Sequence, residues 1–178
     1  VEIVASLVER SGLPNVVLDP VIRATAGGRL LDAEALEPFL KELVPRVDVL
    51  TPNLDEASLL SGLPADTPEE AEKAARYLKS LGPNVVVTGG HFPDRCVDLL
   101  CDEAGVRRFA GSRLESAANH GSGCVFSSAL AVSLGEGMNL HAAVARAREI
   151  TREALRTGYT CGSAPGVVNP LGECLREE

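Results

Sequence analysis

The sequence contains no tryptophan, and aromatic residues make up only 3% of its 178 positions. Platforms that bind single-stranded nucleic acid stack bases on such rings, so that class of binder is disfavoured. Positive charge is also in short supply: 17 Lys and Arg stand against 25 Asp and Glu, a formal net charge of −8. Recognition of a phosphate backbone needs clustered cations, which argues against a nucleic-acid scaffold. An anionic ligand must be held by local amides, by Mg²⁺ or by a few placed side chains, not by the overall field. No apolar run approaches the ~18 residues of a membrane span. The five cysteines, Cys96, Cys101, Cys124, Cys161 and Cys174, include no Cys-x-x-Cys pair and fit no zinc ligand spacing. An odd number of thiols suits a reducing compartment, so a cytoplasmic location is expected. The first residues carry Glu2 and Glu9 and lack a basic segment, unlike a signal peptide. They also lack an initiator Met and lie within a helical pattern, so a fragment or a processed chain is expected.

What is present has the balance of a globular protein, 45% hydrophobic and 24% charged. A chain this long buries about 70% of its unfolded surface and needs no disulfide or metal to fold. Val1, Val4, Ala5 and Val8 share one face of a helix. Asn15–Leu18, Val47–Leu50 and Asn84–Val87 are short β-branched runs that read as buried strands. Between them, Asp32 is placed to cap a helix to about Val44, with Leu36, Phe39, Leu40 and Leu43 inward. Leu54–Leu60 forms a short helix. Thr67 caps another that has Pro68 at its first position and Ala71, Ala74, Ala75 and Leu78 as its stripe. Val97–Cys101 and Val106–Phe109 predict a hairpin. Helices follow over about Ser122–Glu136 and Leu140–Thr157. Strand, helix, strand, helix, strand predicts a mainly parallel sheet flanked by helices, in one domain over 1–178.

Ligands of parallel sheets bind at the carboxyl ends of the strands. Those ends are Leu18-Asp19-Pro20, Thr51-Pro52-Asn53 and Thr88-Gly89-Gly90. Asp19, Asn53 and Glu56 supply hard oxygens suited to Mg²⁺. The plain alternative is that Asp19 and Asn53 cap turns and Glu56 is a solvated helix residue. The sharpest feature is His120-Gly121-Ser122-Gly123-Cys124, running into an apolar helix. Gly121, Ser122 and Gly123 permit a tight turn with amides pointing outward at a positive helix end, an anion hole suited to phosphate. A thiol at a helix start has a depressed pKa, so Cys124 could exchange a proton near pH 7. The alternative is a tight loop holding a small buried cysteine. His91 and His120 read equally as ligand contacts or as turn residues, and His141 as solvated.

Four segments occur in order along the chain: Val17-Leu18-Asp19-Pro20-Val21, Thr51-Pro52-Asn53-Leu54-x-Glu56-Ala57, Gly89-Gly90-His91 and His120-Gly121-Ser122-Gly123-Cys124. Together they resemble the hydroxymethylpyrimidine/phosphomethylpyrimidine kinases of thiamine biosynthesis, in the ribokinase-like superfamily. Pro165-Gly166-Val167-Val168-Asn169-Pro170 is similar to a segment near that family's C-terminus. The resemblance implies a three-layer ribokinase-like fold. It also implies phosphoryl transfer from ATP, with Mg²⁺, to a hydroxymethyl pyrimidine and then to its monophosphate. On this resemblance Cys124 is the base, and Gly121, Ser122 and Gly123 are the anion hole. Thr88, Gly90, His91, Asn53 and Glu56 serve the nucleotide, and Asp19 and Glu56 serve the metal.

Against the family pattern, the Gly-rich first strand and loop have no counterpart here, so the nucleotide-binding, C-terminal portion of such a kinase is expected. Thr88 stands where the family often has Lys, Ser122 replaces Thr, and Ala24–Gly28 is looser than the family's stretch. The alternatives are a pyridoxal-type kinase, or a non-catalytic nucleotide-binding fragment. The expected partner is a small molecule, with neither nucleic acid nor membrane involved. An open sheet edge also invites a homodimer.

Overall fold

Three β-branched runs make the parallel half of a five-stranded sheet. The computed structural model describes residues 1–23, 28–90, 92, 96–114, 116–162 and 166–172. The chain divides into two units, Val1–Gly111 and Ser112–Glu178.

In the first unit, Val17–Leu18 (β1), Val49–Leu50 (β2) and Asn84–Val87 (β3) are parallel. The hairpin strands Cys96–Asp102 (β4) and Gly105–Gly111 (β5) add antiparallel, giving the order β1-β2-β3-β4-β5. Val85, Val86, Val87, Leu99 and Leu100 are fully enclosed, as central strands with both faces covered must be. At one end of that order, β1 is only half-buried, less than its apolar run suggests, because it has a strand neighbour on one side alone among the described residues.

Helices cover this sheet. Glu2–Ser11 (α1) buries Ala5, with Val1 and Val8 packed beside it. Val4 is 49% exposed, contrary to the sequence reading, because the contact stripe follows the 1-5-8 spacing and turns Val4 to the flank. The segment 33–46 is helical but irregular: 3-10 at Ala33–Ala35, α at Leu36–Pro38 (α2), π at Phe39–Leu43 and 3-10 at Val44–Arg46. Pro38 and Pro45 withhold amide donors within it, which disfavours one regular ladder. Asp32 stands at its start but makes no capping hydrogen bond through its side chain, which corrects the expected cap. Phe39 and Leu43 point inward as expected. Leu54–Ser61 (α3) and Pro68–Lys79 (α4) each begin with a reciprocal capping box, Asn53 with Glu56 and Thr67 with Glu70. All four predicted core residues of α4, Ala71, Ala74, Ala75 and Leu78, have no exposed surface.

The second unit pairs Ser122–Gly135 (α5) with Leu140–Arg156 (α6). Phe126, Leu130 and Leu134 of α5 and Ala143, Val144 and Ala147 of α6 form its buried set. Two short parallel strands, Ala118–His120 (β6) and Gly166–Val167 (β7), were not legible as strands in the sequence. Among the described residues, no helix is long and apolar enough to cross a membrane.

Candidate functional site

The carboxyl ends of β1, β2 and β3 meet at one rim of the first unit. Thr51 donates from its amide to the Leu18 carbonyl at 3.0 Å and from its hydroxyl to the same oxygen at 3.2 Å. The Thr88 amide donates to the Pro52 carbonyl at 2.9 Å, and Asn53 and Thr88 form a parallel bridge. Asp19, Asn53 and Thr88 therefore stand at neighbouring strand ends, as predicted, with Glu56 beside them in the first turn of α3.

Asn53 and Glu56 are bound to each other's backbone. Asn53 Oδ1 accepts from the Glu56 amide at 2.9 Å, and Glu56 Oε2 accepts from the Asn53 amide at 2.9 Å. Glu56 Oε1 also accepts from the Ile22 amide at 3.4 Å, tying the segment after β1 to the start of α3. Asn53 is thus a cap, but Glu56 is buried, with 9% of its surface exposed, and is not a solvated residue. Burial pushes its pKa up, and repulsion from Asp19 and Asp55 adds to this, while the two backbone amides oppose it. A carboxylate pair of this kind favours a cation beside it. Asp19 and Glu56 fit Mg²⁺ in donor type, since hard oxygens are what that ion takes, with water completing its shell. Among the described residues, no group of three or more His, Cys, Asp or Glu converges as a ligand set.

At the third strand end, Gly89 is enclosed and Gly90 is exposed. A Cβ on Gly89 would lie 1.9 Å from the Val97 carbonyl oxygen and 2.7 Å from the Phe92 ring, whereas one on Gly90 would meet nothing. The Gly89 amide donates to Asp98 Oδ1 at 2.7 Å. His91 and residues 24–27 lie outside the described residues.

In the second unit, Gly121 begins α5 with φ 89°, a left-handed conformation that favours glycine, and no side chain caps the helix. The first amides of a helix have no acceptor within it and carry its positive end. Gly123 and Cys124 are exposed there, so the reading of Cys124 as a small buried filler is set aside. The tail lies alongside: the Val168 amide donates to the His120 carbonyl at 3.1 Å, and Val168 Cγ2 is 3.5 Å from where a Gly121 Cβ would sit. The His120–Cys124 segment and the Gly166–Asn169 segment, linked only by resemblance in the sequence, are neighbours. Cys124 also borders a groove of about 420 Å³ between α5 and α6, lined by Val125, Ser128, Ala129, Val132, Ile150 and Pro170 among others. The sequence reading missed this groove, because an evenly apolar α5 gives no sign of which face is left open. Cys101 is a buried thiol whose pKa is raised by desolvation, and Cys161 is exposed.

The family profile described as phosphomethylpyrimidine kinase matches residues 1–169. The chain belongs to the phosphomethylpyrimidine kinase family. It is 36% identical over 177 residues to the hydroxymethylpyrimidine/phosphomethylpyrimidine kinase of Streptomyces coelicolor, covering 97% of this chain and 65% of that one. It is 39% identical over 158 residues to the thiamine biosynthesis bifunctional protein of Geobacter sulfurreducens, covering 88% of this chain and 32% of that one. The chain thus spans less than two thirds of these relatives' length. Among solved structures, the Staphylococcus aureus pyridoxal kinase in complex with ADP superposes with a TM-score of 0.89 at 29% identity, covering 99% of this chain and 65% of that one. The phosphomethylpyrimidine kinase of Clostridium difficile gives 0.71 at 27% identity, covering 85% and 62%. The ribokinase-like fold of this phosphomethylpyrimidine kinase family member is therefore shared with nucleotide-binding vitamin kinases.

Proposed function

We propose that the protein takes part in ATP-dependent phosphorylation of 4-amino-5-hydroxymethyl-2-methylpyrimidine and its monophosphate, a kinase step of thiamine biosynthesis. The observation that carries this reading is the extent of the family match: residues 1–169 include both the Asn53–Glu56 rim and the Gly121–Cys124 corner. The names of the relatives and the ADP complexes of structural neighbours support the same chemistry.

Phosphoryl transfer asks a protein chiefly to position groups and neutralise charge. In this reading the amides of Gly121, Ser122 and Gly123 hold the migrating phosphoryl group, and Cys124 takes the proton of the attacking hydroxyl. Thr88 and Gly90 border the nucleotide, and His91 belongs to the same stretch. Asp19 and Glu56 would hold Mg²⁺, which supplies charge neutralisation of the phosphates when bound; Asn53 keeps Glu56 in place. The two units act as one kinase domain, in the cytoplasm, on a small molecule, and the open edge of the sheet allows a homodimer.

A second reading, a pyridoxal-type kinase, is favoured by one observation: pyridoxal kinases superpose with TM-scores up to 0.89 over 99% of the chain. The test is incubation of the purified chain with ATP, Mg²⁺ and the pyrimidine, followed by mass analysis. A phosphorylated pyrimidine supports the proposal. Phosphorylation of pyridoxal alone moves the assignment to the second reading. Nucleotide binding with neither product identifies a non-catalytic nucleotide-binding module.

A further inference from the structure

Asp98 is a buried carboxylate for which the reaction outlined above has no use. It sits in β4, opposite Phe109 of β5, and only 6% of its surface is exposed. Burying a charge at this depth is unfavourable unless specific hydrogen bonds compensate it. Its Oδ1 accepts the Gly89 amide at 2.7 Å, a short charge-assisted bond across the turn that ends β3. That turn is gripped elsewhere as well. The Thr88 amide is held by Pro52, the Phe92 amide donates to the Gly89 carbonyl at 3.3 Å, and Val97 leaves Gly89 no room for a side chain. Gly90, the next residue, is exposed at the rim and makes no close approach.

From this arrangement we infer that Asp98 is a positioning residue: its carboxylate holds the Gly89 amide so that Thr88 and Gly90 present their polar groups to the nucleotide. The inference rests on the nucleotide reading of the Thr88–Gly90 turn. Because Asp98 Oδ1 uses the Gly89 amide, that amide is not the group offered to ligand. Asp98 acts through the turn and touches no substrate. Two properties follow. An acceptor at position 98 matters more than its charge, and its loss is felt in nucleotide affinity beyond any general loss of stability.

The test is calorimetric titration of the full chain with ADP and Mg²⁺, at a temperature where every variant is folded by circular dichroism. Asp98→Ala is expected to bind ADP about tenfold more weakly, and Asp98→Asn, which keeps a neutral acceptor, about threefold more weakly. Ala74→Gly, a destabilising change in the core stripe of α4, is expected to bind as the wild type does. Wild-type affinity in Asp98→Ala overturns the inference, as does an Asn variant as weak as the Ala variant, or a loss in Ala74→Gly as large as theirs. Should Asp98→Ala fail to fold, hydrogen exchange at the Gly89 amide decides. Faster exchange in Asp98→Asn than in the wild type, together with weaker ADP binding, supports the role, and unchanged exchange overturns it. A wild-type chain that binds no ADP overturns the nucleotide reading and this inference with it, whereas a wild type that binds while Asp98→Ala binds equally removes only the inference.

Discussion

Helices α3 and α5 both follow short strands and both begin at residues the proposed reaction uses, yet they begin in opposite ways. The start of α3 is closed by its own residues: Asn53 and Glu56 satisfy each other's backbone, and Glu56 also takes the Ile22 amide. At α5 a glycine in the left-handed region stands at the cap position, and it makes no side-chain capping hydrogen bond. A closed start fixes one carboxylate, that of Glu56, as the proposed cation site needs, while an uncapped start leaves its first amides without a side-chain acceptor from a cap, as the proposed anion site needs. In the proposed reading, the two corners would then differ in the sign of the charge each holds.

The largest effect that would sharpen this contrast is chemical. Cys124→Ala is expected to lower kcat by about 10²–10⁴-fold, the usual contribution of a general base, with little change in melting temperature because Cys124 is exposed. Full turnover in that variant would leave the α5 corner without a catalytic role. Next come the two glycines of the rim. Gly89→Ala forces a methyl against the Val97 carbonyl and is expected to cost about 3 kcal/mol in urea unfolding, while Gly90→Ala, in open space, stays within about 0.5 kcal/mol. Equal costs would mean that β4 does not pin this turn. A smaller effect compares the helix starts themselves. Gly121→Ala is expected to cost about 1–2 kcal/mol from its positive φ, and Asn53→Ala about 1 kcal/mol from the lost cap. Adding inorganic phosphate should stabilise the wild type and Asn53→Ala alike; protection that depends on Asn53 would place the anion at the wrong corner.

The last prediction concerns pH. Desolvation first, then Asp19 and Asp55, hold the Glu56 pKa above 4.5 in the folded protein. The folded state then releases the Glu56 proton less readily than the unfolded state. Stability is therefore withdrawn as pH rises above the unfolded value and through the folded one. Glu56→Gln lacks this contribution, so its melting temperature minus that of the wild type should increase as pH is raised through that interval. A difference that is flat in pH would mean that Glu56 is not held in a desolvated, acidic neighbourhood.

Much of the first unit was legible locally. Thr67, Pro68 and Glu70 announce α4, and its alanine stripe emerged fully buried, because capping and 3.6-residue periodicity act over one or two turns. The hairpin was equally plain, since two adjacent strand-forming runs are joined by a tight turn that sets their register, Asp102 opposite Gly105. The irregularity of the helix over 33–46 was not, because Asp32 has the residue type of a cap without the capping hydrogen bond, and Pro38 and Pro45 break up the ladder that follows. Strands β6 and β7 escaped notice because each is too short to show a period, and β6 finds its partner only far along the chain, Ala118 opposite Gly166 and His120 opposite Val167.

For the site, the residue types were readable and their states were not. The hard oxygens of Asp19, Asn53 and Glu56, and the glycines before Cys124, are written in the chain, because strand ends and helix starts are local events. Whether Glu56 is solvated or buried, whether Cys124 is a filler or an exposed thiol, and that Asp98 nine residues away holds Gly89, were decided only when distant strands met. Burial and hydrogen-bond partnership belong to pairs of segments, and no single segment carries them.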